Sequence, residues 1–270
     1  MTLSGRVAII TGASGGIGSS TVRAFALHGV HLALAAPSSE VGLLDALAAE
    51  ARRNGVRAIV VPTDVTNRAD VDRLIGLTAE SFGTVDILAN IAGIGSSPAL
   101  CDDTDDDLER VVGINLLGCA RTMHAVLPVM KTQRRGAIVN VGSVAGEAGI
   151  MGIYSASKFG LRGLSDSVRR EVRSHNISVT LIEPGFVRTA LNALMSRLPS
   201  PDIVARAIVR AIERPRRRVI VPRYYSIPVF VANTFPGLID LVFGNARVQQ
   251  RLNRDSRVMR AKRKAEETPA

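Results

Sequence analysis

Val7-Ala8-Ile9-Ile10-Thr11 runs directly into Gly12-Ala13-Ser14-Gly15-Gly16-Ile17-Gly18, and an apolar-periodic stretch over Ile17–His28 follows without a linker. A short apolar, β-branched run bounded by glycine reads as a strand buried on both faces. Glycines spaced this way allow a tight turn, a close backbone approach to a ligand, and close packing of the next helix on the strand. A helix beginning there aims unpaired N–H groups and the positive end of its dipole at the turn, a setting that suits phosphate. Strand, glycine turn and helix together open a βαβ unit.

Outward from this unit the alternation recurs. Further strands are expected at Val30–Ala35, Ala58–Pro62, Val85–Asn90, Ala137–Gly142, Ser178–Ile182 and Arg218–Val221. Helices are expected at Leu43–Asn54, Ala69–Phe82, Asp105–Met130, Tyr154–Ser174 and Pro201–Glu213. This pattern predicts an α/β fold with a parallel sheet covered by helices on both faces. Right-handed crossovers make it doubly wound, of the Rossmann type, with ligands at the carboxyl ends of the strands. One domain is expected over residues 1–221, followed by an extension over 222–270. Functional residues should therefore stand just after strands.

Composition narrows the class. Of 270 residues, 46% are apolar but only 4% aromatic, and there is no Trp, so the core must be aliphatic. Cys101 and Cys119 cannot form a disulfide framework, and His28, His31, His124 and His175 lack metal-ligand spacing, so no metal site is expected. No charged and then apolar leader opens the chain, which points to a cytoplasmic, reducing setting. The net charge of +10 is concentrated late: residues 210–270 hold fourteen Lys or Arg against five Asp or Glu. The nearly neutral remainder is not a nucleic-acid platform.

Tyr154-Ser155-Ala156-Ser157-Lys158 places a phenol and an ammonium at i and i+4, on one face of a helix. A phenol titrates near ~10 and is a poor base at neutral pH. A neighbouring ammonium favours the phenolate, which suits such a pair to proton transfer. Ser143 follows strand five and Asn115 sits in the preceding long helix. Asp64-Val65 follows strand three, Asn90-Ile91-Ala92-Gly93 ends strand four, and Pro184-Gly185-Phe186-Val187-Arg188-Thr189 ends strand six.

Together with the Thr-Gly-x-x-x-Gly-x-Gly spacing of residues 11–18, this ordered set resembles the short-chain dehydrogenase/reductase family. The resemblance implies an oxidoreductase that interconverts an alcohol and a carbonyl with NAD or NADP. It assigns Gly12, Ser14, Gly16, Ile17 and Gly18 to the phosphate loop, and Asp64 and Val65 to the adenine. Asn90, Ala92 and Gly93 would line the cofactor groove. Pro184, Gly185, Val187 and Thr189 would hold the nicotinamide amide and pyrophosphate. Tyr154 would be the general acid/base, paired with Lys158, and both would also touch the cofactor. Ser143 would bind the substrate oxygen, and Asn115 would support a water chain from the lysine. Relatives often assemble as homodimers or homotetramers.

Two departures stand out. Ile91 replaces the family's second Asn, and Ser143 and Tyr154 are eleven residues apart, a spacing shorter than usual that should reshape the substrate mouth. The family's cofactor choice is usually made after strand two, where an acid bonds the ribose and a cation pairs the 2′-phosphate. Ala35-Ala36-Pro37-Ser38-Ser39 has neither, and Gly15 stands where NADP-preferring relatives often carry a cation, so NAD is favoured. Leu191, Leu194, Met195 and Leu198, where the family closes its pocket, point to a small apolar alcohol or carbonyl substrate.

The acidic run Asp102–Asp107 reads as a helix start: Thr104 caps it, Asp107 completes a capping box, and the carboxylates face the positive dipole end. Met123 and His124 read as packing residues. Beyond Arg214, the apolar run Ile227–Phe243 contains Pro228 and Pro236 and is too short and interrupted to span a membrane. It is either a lid or subunit contact, which the prolines favour, or a peripheral contact with the inner membrane surface, backed by the cationic stretch Arg247–Lys264.

Overall fold

The computed structural model describes residues 2–97, 99–188, 198–246, 248 and 250. Its frame is β1 (Val7–Thr11), β2 (His31–Ala35), β3 (Ala58–Val60), β4 (Ile87–Asn90), β5 (Gly136–Val141), β6 (Ile177–Pro184) and β7 (Arg218–Val221). All pair in parallel, in the order β3-β2-β1-β4-β5-β6-β7. The order reverses between β1 and β4, the point at which an open α/β sheet leaves a crevice at its carboxyl edge.

Alternation along the strands divides the core into two layers. Ile10 and Leu34 face one cluster with Phe25 and Leu44, whereas Ile9 and Leu88 face another with Met123 and Leu161. The first layer is covered by α1 (Gly16–Leu27), α2 (Val41–Arg53) and α8 (Asp202–Glu213). The second is covered by α3 (Arg68–Phe82), α5 (Cys119–Gln133) and α7 (Gly152–Glu171). A doubly wound sheet with helices on both faces is the architecture the sequence predicts.

Capping sets several helix ends. Asn67 accepts from the N–H groups of Ala69 and Asp70 at the start of α3, and Gly83, at φ 77°, closes it. Thr104 Oγ1 accepts from Asp107 N at 3.2 Å while Asp107 Oδ2 accepts from Thr104 N at 3.1 Å, opening α4 (Asp105–Val112) with a capping box. The acidic run is thus a helix start. Between α4 and α5 the helix continues through a π-turn, Gly113–Gly118, which contains Asn115. Met123 is buried as expected, but His124 is not a packing residue: it lies on the exposed face, 3.1 Å from Arg68 Nη1. An α-helix carries neighbouring residues onto different faces.

Several elements differ in extent, among them β3, which ends at Val60 short of Pro62, and β4, which starts at Ile87 rather than Val85. β6 continues past Ile182 to Pro184, because Pro184 finds its strand partner in Val221. The run Ile227–Phe243 is two helices, α9 (Ser226–Thr234) and α10 (Pro236–Phe243), bent by 103° at the break before Pro236. Proline at the first turn of α10 supports a new start but cannot continue the old helix. Asp105–Gln133 is long and apolar enough to cross a membrane, but here it packs against the sheet.

Polar groups buried between sheet and helices are paired. Asn90 Nδ2 donates to Asn140 Oδ1 at 2.9 Å, Thr122 Oγ1 donates to Asn90 Oδ1 at 2.8 Å, and Asn140 Nδ2 donates to Ser165 Oγ at 2.9 Å. This ladder ties β4 and β5 to α5 and α7. Asn140→Ala orphans the buried amide of Asn90 and should destabilise the protein by about 2 kcal/mol or more. Chemical denaturation measures this, and an unchanged midpoint would show that the ladder contributes nothing.

Candidate active site

The glycine turn and the loop after β4 meet at the strand-order reversal. Gly12 has φ 64°, and a Cβ there would lie 2.7 Å from Ala92 Cα. A Cβ at Gly18 would strike the Gly12 carbonyl and lie 2.8 Å from Ala13 Cα. Thr11 Oγ1 accepts from Ile91 N at 3.2 Å and Ala92 N at 3.4 Å, locking the two loops together. Gly15 precedes α1 without a side-chain cap, and the first turn holds no acid. The helix N-terminus therefore remains open to an anion, and the turn fits a pyrophosphate.

The neighbouring candidates distribute unevenly. Ser14, Gly16 and Ile17 are half-buried on this turn. Asp64 is exposed, and its Oδ1 accepts from Thr66 N and Oγ1, both at 2.8 Å. Val65 is buried against Gly118. Asn90 uses its side chain inside the ladder, so only its backbone can reach a cofactor. Pro184 and Val187 are buried, Gly185 is half-buried, and Thr189, Leu191, Leu194 and Met195 lie outside the described residues.

On α7, Tyr154 and Lys158 share one face. Lys158 is 5% exposed, its Nζ donates to Val141 O at 2.9 Å, and it lies 5.9 Å from the centroid of the Tyr154 ring. A Cβ on Gly93 would lie 3.1 Å from Asn115 Oδ1 and 3.2 Å from Lys158 Nζ, so all three meet at one point. Asn115 is fully buried: its Nδ2 donates to Ile94 O at 2.9 Å and to Ser157 Oγ at 3.1 Å, while Oδ1 accepts from Ile94 N at 2.9 Å. Both hydrogens of its Nδ2 are thereby used in holding the Ile94 backbone and α7, while Oδ1 keeps a second acceptor position.

Ser143 stands two residues beyond β5, and its Oγ accepts from Ala145 N at 3.1 Å. The short link to Tyr154 folds as α6 (Ala145–Ala148), which lies flat on α7 because Gly146 has no side chain: a Cβ there would lie 3.0 Å from the Lys158 backbone. Ser155 Oγ donates to Ala145 O at 2.8 Å and closes the loop. The Tyr154 backbone N–H donates to Ser96 Oγ at 3.2 Å. Cys119 is no nucleophile, since burial pushes its thiol up to about 11. Among the described residues no group of His, Cys, Asp or Glu could hold a metal ion.

A sequence profile described as short chain dehydrogenase matches residues 6–197. The chain belongs to the short-chain dehydrogenase family. It is 36% identical over 199 residues to a 3-oxoacyl-[acyl-carrier-protein] reductase of Synechocystis, covering 73% of this chain and 80% of that protein. An uncharacterised oxidoreductase of Staphylococcus haemolyticus is 33% identical over 219 residues, with 79% and 93% covered. Glycine betaine reductase of Emericella nidulans is 31% identical over 229 residues, covering 79% of this chain but only 18% of that longer protein. The crystal structure of a short chain dehydrogenase/reductase from Burkholderia phymatum in complex with NAD matches with a TM-score of 0.80 at 28% identity, covering 88% of this chain and 96% of that one.

This member of the family carries groups at its candidate site that sequence reasoning missed. Tyr225, from the extension, lies on Gly185 so closely that no Cβ fits there, and its hydroxyl is hydrogen-bonded to the Phe186 backbone. Behind the loop from Ser143 to Tyr154, Glu147 of α6 is bridged by Arg162 of α7 at 2.7 Å and Arg218 of β7 at 2.8 Å. Arg218 also bonds Glu183 of β6, and Asn233 of α9 donates to Glu147 Oε2 at 3.1 Å. The two carboxyls share a hydrogen bond. Burial, then the bond and charge of Glu147, push Glu183 up to about 8 against the pull of Arg218. Burial opposes ionisation of Glu147, but its bond with Glu183, together with Arg218, Asn233 and Arg162, holds it below the ordinary value. One proton is shared by the pair at neutral pH.

Folding raises the Glu183 pKa, so between 4.5 and about 8 the folded protein binds a proton that the unfolded chain has released. This contribution to stability is complete below 4.5 and is lost as pH rises toward 8. Relative to Glu183→Gln, the wild type should lose on the order of 2–4 kcal/mol over that window. Denaturation midpoints of both proteins across the range measure it; parallel curves would refute the shared proton.

Proposed function

We propose that this short-chain dehydrogenase interconverts a small apolar secondary alcohol and its ketone, with NAD as redox partner and Tyr154 as general acid/base. The observation that carries the reading is the Lys158 ammonium, held on the Val141 carbonyl one helical turn from the Tyr154 phenol. Only one of the three ammonium donors is taken by Val141, leaving the others for the groove beside Gly93. The bound nicotinamide supplies the hydride acceptor for oxidation and the donor for reduction.

The chain's own groups handle the proton. In oxidation the substrate hydroxyl gives its proton to the Tyr154 oxygen as the C–H bond yields hydride; in reduction the phenol returns it. The Lys158 ammonium lies 5.9 Å from the centroid of the ring that bears this oxygen. Ser143 Oγ, already accepting from Ala145 N, keeps its hydroxyl hydrogen free to donate to the substrate oxygen. Asn115 acts by position, fixing Ile94 and Ser157 around the lysine.

NAD is supported by the strand-two exit. Glu40, an acid, is the first charged residue beyond β2, and the sequence holds no Lys or Arg between Arg23 and Arg52. The similar Burkholderia phymatum structure is a complex with NAD. An apolar substrate is supported by the Leu- and Met-rich sequence after Gly185 and by Tyr225 against that glycine.

A panel of secondary alcohols and ketones, followed through nicotinamide absorbance with both cofactors, tests the proposal. Turnover should be faster with NAD than with NADP, and Tyr154→Phe or Ser143→Ala should each lower it by about 100-fold or more, Ser143→Ala with dinucleotide affinity nearly unchanged. Dinucleotide binding without turnover on any substrate would mark a nucleotide sensor instead, and undiminished turnover in Tyr154→Phe would remove the proposed acid/base.

A further inference from the structure

The extension is fastened on one side only. Val229 and Ala232 of α9 are buried, α9 packs on α6, and Asn233 reaches Glu147. The outer side carries no such cover. Ile227, Phe230, Phe235, Leu238, Leu241 and Val242 are 53–75% exposed, and no residue of α10 is buried. A helix of eight residues has little stability of its own in water, and clustered exposed apolar side chains mark an interaction surface.

We infer that this face docks onto an anionic lipid bilayer. Charge decides the occupant. From Tyr224 to Ala246 the only charged side chain is Asp240, and cations bracket the segment. Arg214, Arg216 and Arg223 precede it without a side-chain ion pair among the described residues. Residues 247–264 add eight Lys or Arg against the single acid Asp255. Apolar side chains flanked by cations match the acyl boundary and negative headgroups of such a surface. A second copy of the chain would bring like cations against like, which disfavours self-association through this patch.

Depth is limited by geometry. α9 has nine residues and α10 eight, turned 103° apart, whereas crossing the hydrocarbon core takes about 20 apolar helical residues. The pair therefore lies in the interface. Because α9 is bonded to the catalytic loop, the docked protein presents the active-site rim to the bilayer. Docking itself does not depend on the substrate reading.

Co-sedimentation of the full chain with vesicles tests the inference. The protein should pellet with vesicles of phosphatidylcholine mixed with phosphatidylglycerol, less so at high salt, and only weakly with phosphatidylcholine alone. Replacing three exposed residues together, Ile227→Ser, Leu238→Ser and Leu241→Ser, should lower the partition coefficient by about 10-fold or more, leaving the melting curve and the oligomeric state by light scattering unchanged. Absence of binding to the anionic vesicles would overturn the inference. So would a triple variant that still partitions fully while a homo-oligomer dissociates, which would make the face a subunit contact.

Discussion

A buried ammonium organises the candidate site of this short-chain dehydrogenase family member. Lys158 is almost wholly removed from water, and an isolated cation there would be costly, so its surroundings are constrained to satisfy it. The Val141 carbonyl, where β5 ends, takes one of its hydrogen bonds. Neighbouring groups must then come close without side chains of their own: Gly93 beside the ammonium, and Gly146 against the lysine backbone. From that point the arrangement spreads through Asn115 to Ile94, and through α6 to Ser143. The phenol of Tyr154 is positioned by the same helix that holds the cation.

Most of the frame could be read from local sequence because local physics sets it. Buried parallel strands are short aliphatic runs, and their ends carry the glycine turn, Asp64, Asn90, Ser143 and Pro184. Thr104 and Asp107 announce a helix start three residues apart, and the structure forms that box. Tyr154 and Lys158 need only the periodicity of one helix to share a face.

What escaped the sequence depends on partners far along the chain. Glu147 meets Arg162, Arg218, Glu183 and Asn233, and no spacing rule links residues from five different elements. Tyr225 lies on Gly185 from across the sheet end, so the Pro-Gly segment does not reveal its cover. Asn115 was visible as a polar residue in an apolar helix, but its place in a π-turn, with every amide atom bonded, is set by the loop it supports. The extension was legible as apolar and interrupted; its two sides, one fastened to α6 and one bare, were not.

The proposal is geometric: the phenol and the ammonium on α7 would flank a nicotinamide ring whose pyrophosphate would lie over the glycine turn at the start of α1. A crystal structure of the complex with NAD examines it most directly. The account predicts the pyrophosphate on the backbone N–H groups between Gly12 and Gly18, and the Tyr154 hydroxyl turned to the nicotinamide beside Lys158. A dinucleotide bound elsewhere, or that hydroxyl turned away from the ring, would contradict it.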